Sequence, residues 1–94
     1  MNVLNDRFPK LDLHGEDRIG AKIKVESFIK EQSILGNYEF MIVHGIGKGV
    51  LKKEVHDLLQ KNKLVKEFKL DNFNAGSTYV RIGQKSWQNA QIRL

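Results

Sequence analysis

The chain has 94 residues, no cysteine, one proline and a formal net charge of +5. Without cysteine there is no disulfide, no thiolate metal site and no cysteine nucleophile, and no apolar run approaches the ~20 residues of a membrane span. A chain of this length builds one core. The start, MNVLNDRFPK, lacks the apolar stretch of a signal peptide, so the expectation is a soluble, cytoplasmic protein. The charge is uneven: residues 48–69 hold seven lysines against three acids, a net +4 of the total. Such a clustered field favours polyanions, nucleic acid being the commonest, although a solvated lysine-rich surface has the same composition.

Residues 1–9 read as an N-terminal extension to a domain over 10–83, with 84–94 as a C-terminal tail. Leu11-Asp12-Leu13 alternates like a short half-buried strand. Glu16 and Asp17 suit a helix start. Residues 18–35 follow with Ala21, Val25, Phe28 and Ile29 at helical spacing, and Gly36-Asn37 ends the helix. YEFMIV (38–43) is rich in β-formers and predicts a buried strand. A second helix is expected from near Lys48 to Lys61, with Leu51, Val55, Leu58 and Leu59 on one face. LVKEFKL (64–70) predicts a third strand, DNFNAG (71–76) a loop and STYVRI (77–82) a fourth strand. Trp87 in the tail is expected to fold back as a packing anchor.

The order β-α-β-α-β-β predicts an α/β two-layer sandwich, a four-stranded mixed sheet with both helices on one face. Strands one, two and three would run parallel, and the short link to strand four makes that last pair antiparallel. Loops 14–17, 44–49 and 71–76 then share one sheet edge, the edge at which open α/β sheets bind ligands.

Candidate chemistry collects there. In GIGKG (45–49), Gly45, Gly47 and Gly49 let backbone N–H groups approach an anion, the following helix points its positive end at the same spot, and Lys48 adds a full charge. The spacing fits neither a Walker loop nor a dinucleotide fingerprint, and a plain structural turn uses the same residues. Asp12 and His14, two apart on a strand, share a face, so the acid can orient the imidazole and raise its pKa. An exposed polar pair is the plainer alternative. His44 is either a second such imidazole or a strand-end histidine bonded to a loop carbonyl. His56, inside the second helix, reads as a surface residue. A metal site from Asp12, His14 and His44 is conceivable but follows no recognisable ligand spacing. Lys52 and Lys53 extend the basic segment. Glu67, Lys69, Tyr79 and Arg81 are expected on the open sheet face, where charge and an aromatic ring suit a nucleic-acid strand or ordinary solvent.

LDLHG (11–15), VHGIGKGVLKKEV (43–55) and the strand start Gly76-Ser77-Thr78 together resemble a small MutS-related (Smr) domain, over about residues 10–83. The resemblance implies the same β-α-β-α-β-β fold, similar to the C-terminal domain of a bacterial translation initiation factor. It also implies a nuclease that nicks DNA or cleaves RNA, including mRNA on stalled or collided ribosomes. Asp12 and His14 match the motif linked to cleavage, and His44, Gly45, Gly47 and Gly49 match the His-Gly-x-Gly-x-Gly loop. In the third motif, usually Gly-Gly-x-Gly-x-Thr, only Gly76 and Thr78 are kept, and Phe73 and Asn74 replace the leading glycines. That bulkier loop narrows the site or offers Phe73 for base stacking. The expectation is an endonuclease with no resident cofactor, a divalent ion entering only if DNA is the substrate. Its partners would be DNA or RNA and, through the family, the ribosome, with a monomer favoured and no membrane. The tail after residue 83 hints at a standalone protein. The alternatives are a non-catalytic nucleic-acid-binding module of a repair or ribosome-rescue factor, and a protein-interaction domain.

Overall fold

The computed structural model describes residues 8–47 and 49–83. Residues 1–7, Lys48 and the segment 84–94 with Trp87 lie outside the described residues. The elements are β1 (Lys10–Asp12), α1 (Arg18–Leu35), β2 (Glu39–Val43), α2 (Val50–Lys61), β3 (Val65–Leu70) and β4 (Ser77–Ile82), in the expected order.

Local chemistry sets their limits. Asp17 caps α1 with its carboxylate, which accepts the Gly20 N–H at 2.7 Å. Gly36 closes the helix in the left-handed conformation at φ 80°. The second helix begins two residues later than its expected start near Lys48, because Gly49 stands at φ 79° and cannot join a right-handed helix.

The strands are ordered β1-β2-β4-β3. The β1/β2 pair is parallel, and β4 lies antiparallel to both β2 and β3. The first three strands therefore run one way, with β4 inserted between the second and third. Both helices pack on one face, sharing a core with the sheet: Ala21, Val25 and Ile29 of α1, Val55 and Leu59 of α2, and Leu13, Phe40, Ile42, Val80 and Ile82 from the strand layer. Phe28 meets Phe40 edge-on at 5.1 Å. Full burial of a side chain such as Phe40 is worth about 1.5–3 kcal/mol.

One irregularity was not foreseen. The β3/β4 register shifts between Val65 and Glu67, a bulge that lets both Val65 and Phe68 pack on the core despite their odd spacing. The other sheet face carries Glu67, Lys69, Tyr79 and Arg81 as the strand alternation requires.

Candidate functional site

Parallel β1, β2 and β3 end at one edge, where β4 begins. The backbone ties the loops together there. His44 and Gly45 both donate their N–H groups to the Gly76 carbonyl, each at 2.9 Å, and Leu13 N–H reaches the Val43 carbonyl at 2.8 Å. A β-carbon on Gly76 would sit 3.3 Å from the Gly45 backbone, so this position needs glycine for the close approach. Asn74 shapes the last turn by accepting the Gly76 N–H on its side-chain oxygen at 2.9 Å.

The turn after β1 closes with Glu16 N–H on the Leu13 carbonyl at 3.0 Å, with Gly15 at φ 81° in its third position. Asp12 accepts the backbone N–H of His14 at 2.9 Å. The carboxylate thus holds the turn that carries the imidazole, where direct contact with the ring was expected. The His14 side chain is exposed.

His44 is placed differently. It is buried, and both ring nitrogens are engaged: Nδ1 with the Gly45 carbonyl at 3.0 Å, Nε2 with Thr78 Oγ1 at 2.8 Å. Of its two expected roles, the geometry is that of the loop-bonded histidine. Its pKa lies below the usual value, because burial disfavours the charged ring; the Gly45 carbonyl pushes the other way, and Lys52 adds to the depression.

His56 is not the surface residue expected from the sequence. It is half-buried on α2, with Nε2 also 2.8 Å from Thr78 Oγ1. Its ring stands edge-on to His44 at 5.9 Å and beside Phe68 at 5.1 Å. Burial lowers its pKa, reinforced by His44 and Lys52 and opposed by Asp57. The missed signal was its place on the helix, next to the buried Val55 and one turn from Leu59, at the border of the core stripe.

The glycine loop follows His44 directly. Gly45, Gly47 and Gly49 have φ of 82°, 28° and 79°, which other residues rarely adopt. Gly49 starts α2 with no side chain of its own to cap it. A hollow of about 290 Å³ lies here, lined by His44, Gly45, Gly47, Gly49 and Lys52 among others. Asp12 and His14 occupy the adjoining turn and do not line it.

The remaining expected site residues separate. Lys53 pairs with Asp57 at 3.3 Å on the exposed side of α2. On the open sheet face Arg81 pairs with Glu67 at 3.2 Å, and Lys69 lies over the Tyr79 ring at 5.8 Å. Their charges are partly answered within the fold. Among the described residues no group of three His, Asp or Glu side chains is placed to hold a metal ion. In the conceivable set Asp12, His14 and His44, both His44 ring nitrogens are already engaged by Gly45 and Thr78. No helix among the described residues is long and apolar enough to cross a membrane.

The family model of the Smr domain matches residues 11–83. The chain belongs to the Smr family. Relatives of this Smr domain include the proteins named Endonuclease MutS2 of Clostridium tetani, 30% identical over 73 residues, and of Geobacillus sp. (strain WCH70), 37% identical over 73 residues. Each match covers 78% of this chain but 9% of the relative, so the domain corresponds to a small part of those proteins. Among solved structures, the Smr domain of Thermus thermophilus MutS2 superposes with a TM-score of 0.77 at 26% identity, covering 80% of this chain and 98% of that one. The stand-alone small MutS-related protein YdaL of Escherichia coli shares the fold, with a TM-score of 0.75 at 21% identity, covering 81% of this chain and 64% of that one.

Proposed function

We propose that this Smr domain is an endonuclease that binds a nucleic-acid phosphate in the glycine hollow and cleaves the adjoining strand beside His14. The relatives named as endonucleases supply the reaction class. The observation that carries the reading is the hollow itself: three left-handed glycines and an α2 start without a side-chain cap, with Lys52 on the wall. The loop backbone, the start of α2 and Lys52 border this hollow together with Ile46, Val50 and Leu51, and a helix start beside an ammonium favours a phosphate there. Lys48, inside the loop sequence, adds a further charge to the same segment.

The next turn carries His14, exposed and held by Asp12 through the backbone. On RNA, His14 takes the proton from the 2′-hydroxyl as that oxygen bonds to phosphorus, and the P–O5′ bond breaks with the leaving 5′-oxygen taking a proton from water. On DNA there is no 2′-hydroxyl, and water must attack instead. A groove of about 380 Å³ on the open sheet face, with Phe8, Phe73 and Tyr79 in its walls, offers rings for an unpaired base beyond the phosphate. Phe73 is 82% exposed in the loop that departs from the family pattern.

The test incubates labelled RNA and DNA with the purified protein, with and without EDTA, beside His14→Ala, Asp12→Ala and Lys52→Ala. Loss of cleavage by about 100-fold or more in His14→Ala, with binding retained, is the expected result. Cleavage that survives His14→Ala overturns the assignment of that residue. Binding without cleavage under every condition moves the domain to the second reading, a non-catalytic module. One observation favours that alternative: with His44 buried and fully bonded, His14 is the single exposed imidazole at this edge among the described residues.

A further inference from the structure

The two hydrogen bonds on Thr78 have a direction that the chemistry of their ends fixes. The Gly45 carbonyl can only accept, so His44 Nδ1 carries the proton of that bond. In a neutral ring Nε2 is then a bare acceptor, and the Thr78 hydroxyl must donate to it. That commits the hydroxyl proton, so His56 Nε2 must in turn be the N–H that donates to Thr78 Oγ1. The chain runs His56 to Thr78 to His44 to the Gly45 carbonyl. Thr78 is fully buried, which leaves its hydroxyl few other partners.

The far end of this chain lies in the phosphate loop. In a trans peptide unit the carbonyl and the next N–H point in opposite directions. The Gly45 carbonyl is drawn toward the buried His44 ring, so the Ile46 N–H points away from it, to the outer side where Ile46 itself is 70% exposed. Gly45 at φ 82° has no side chain to resist a flip of that unit. The bond from His44 is one restraint on it.

We infer that His56 is a positioning residue of the phosphate loop, acting through Thr78 and His44 to hold the Ile46 N–H outward for an anion. This rests on the reading of the hollow as a phosphate site. Its sequence position, twelve residues after His44 on α2, couples the helix to the loop that precedes it. Without the His56 donor the Thr78 oxygen loses one of the two bonds that orient it, its hydroxyl bond to His44 is weakened, and the loop N–H is less firmly preset.

Nitrogen-detected NMR of the imidazoles tests the chain in the unaltered protein. His44 is expected as the Nδ1–H tautomer and His56 as the Nε2–H tautomer; a His44 ring protonated at Nε2 alone overturns the inference. Inorganic phosphate is then titrated while the Gly45, Ile46 and Gly47 amides are followed. Affinity is expected to fall about three- to tenfold in His56→Leu, the size of one net hydrogen bond, and to recover in His56→Gln, whose amide can donate to Thr78. Unchanged affinity in folded His56→Leu overturns the inference alone. An unaltered protein whose loop amides do not respond to phosphate overturns the phosphate-site reading, and this inference with it, even if the tautomers are as expected.

Discussion

His14 and His44 stand in the same dipeptide, His-Gly, yet one ring meets solvent and the other is buried. The difference is set by which strand each follows. β1 is an edge strand, so the residues beyond it have a neighbour on one side only. β2 lies between β1 and β4, and its end is covered by Gly76 on β4's approach and by His56 on α2. Local sequence is blind to this, because strand order decides it. The glycines differ in the same way. Gly76 is required for space, with the Gly45 backbone 3.3 Å from where a β-carbon would stand. Gly45 has open space around that position but φ of 82°. Gly45→Ala should therefore cost about 1–2 kcal/mol through backbone strain alone, measured as a lower urea midpoint with an unchanged denaturant slope. A loss well below that range would mean the loop readily adopts another conformation, and the preset hollow would lose its basis.

At the level of elements, periodicity revealed the helices, the strands and their core faces, but neither the strand order nor the whole of the site. Ala21, Val25 and Ile29 repeat at helical spacing and pack as their pattern demands; Val55 and Leu59 do the same. The loops reach one edge because three strands run parallel, which chain order and crossover geometry already imply. Side-chain partners were less legible. The β3 bulge and the engagement of His56 depend on contacts between residues remote in the chain, and a half-buried border position on a helix looks like a surface position in sequence. The basic segment illustrates the cost of counting charges. Lys52 and Lys53 are adjacent, but a helix turns them about 100° apart: Lys52 lines the glycine hollow while Lys53 reaches Asp57. Oligonucleotide affinity measured across salt should show this. Lys52→Ala is expected to reduce the slope of log affinity against log salt by about one phosphate contact, and Lys53→Ala by clearly less. Equal reductions would indicate a diffuse basic face, with no privileged position for the hollow.

For the molecule as a whole, the buried imidazoles couple stability to pH. Folding lowers the pKa of both His44 and His56 below the ordinary 6.5, chiefly because each ring is desolvated. Their surroundings are mixed: Lys52 opposes charge on both, each ring faces the other across Thr78, and Asp57 favours charge on His56. As pH falls through 6.5 the unfolded chain takes up these protons first, so stability must decline until the lowered folded values are reached. At pH above 6.5 both rings are neutral in either state and this contribution is fully present. Tyr79 acts at the opposite end. Its burial and its bond to Glu39 raise the phenol from 10 to about 12, so its contribution holds below pH 10 and is lost as pH rises toward the folded value. The acidic limb has a specific control. His56→Gln removes one titrating ring while keeping a donor for Thr78, and should flatten the decline below pH 6.5 in urea unfolding measured at a series of pH values. The same decline in both proteins would show that His56 takes up its proton as readily folded as unfolded, and would remove the reason for regarding it as part of a neutral, buried hydrogen-bond chain.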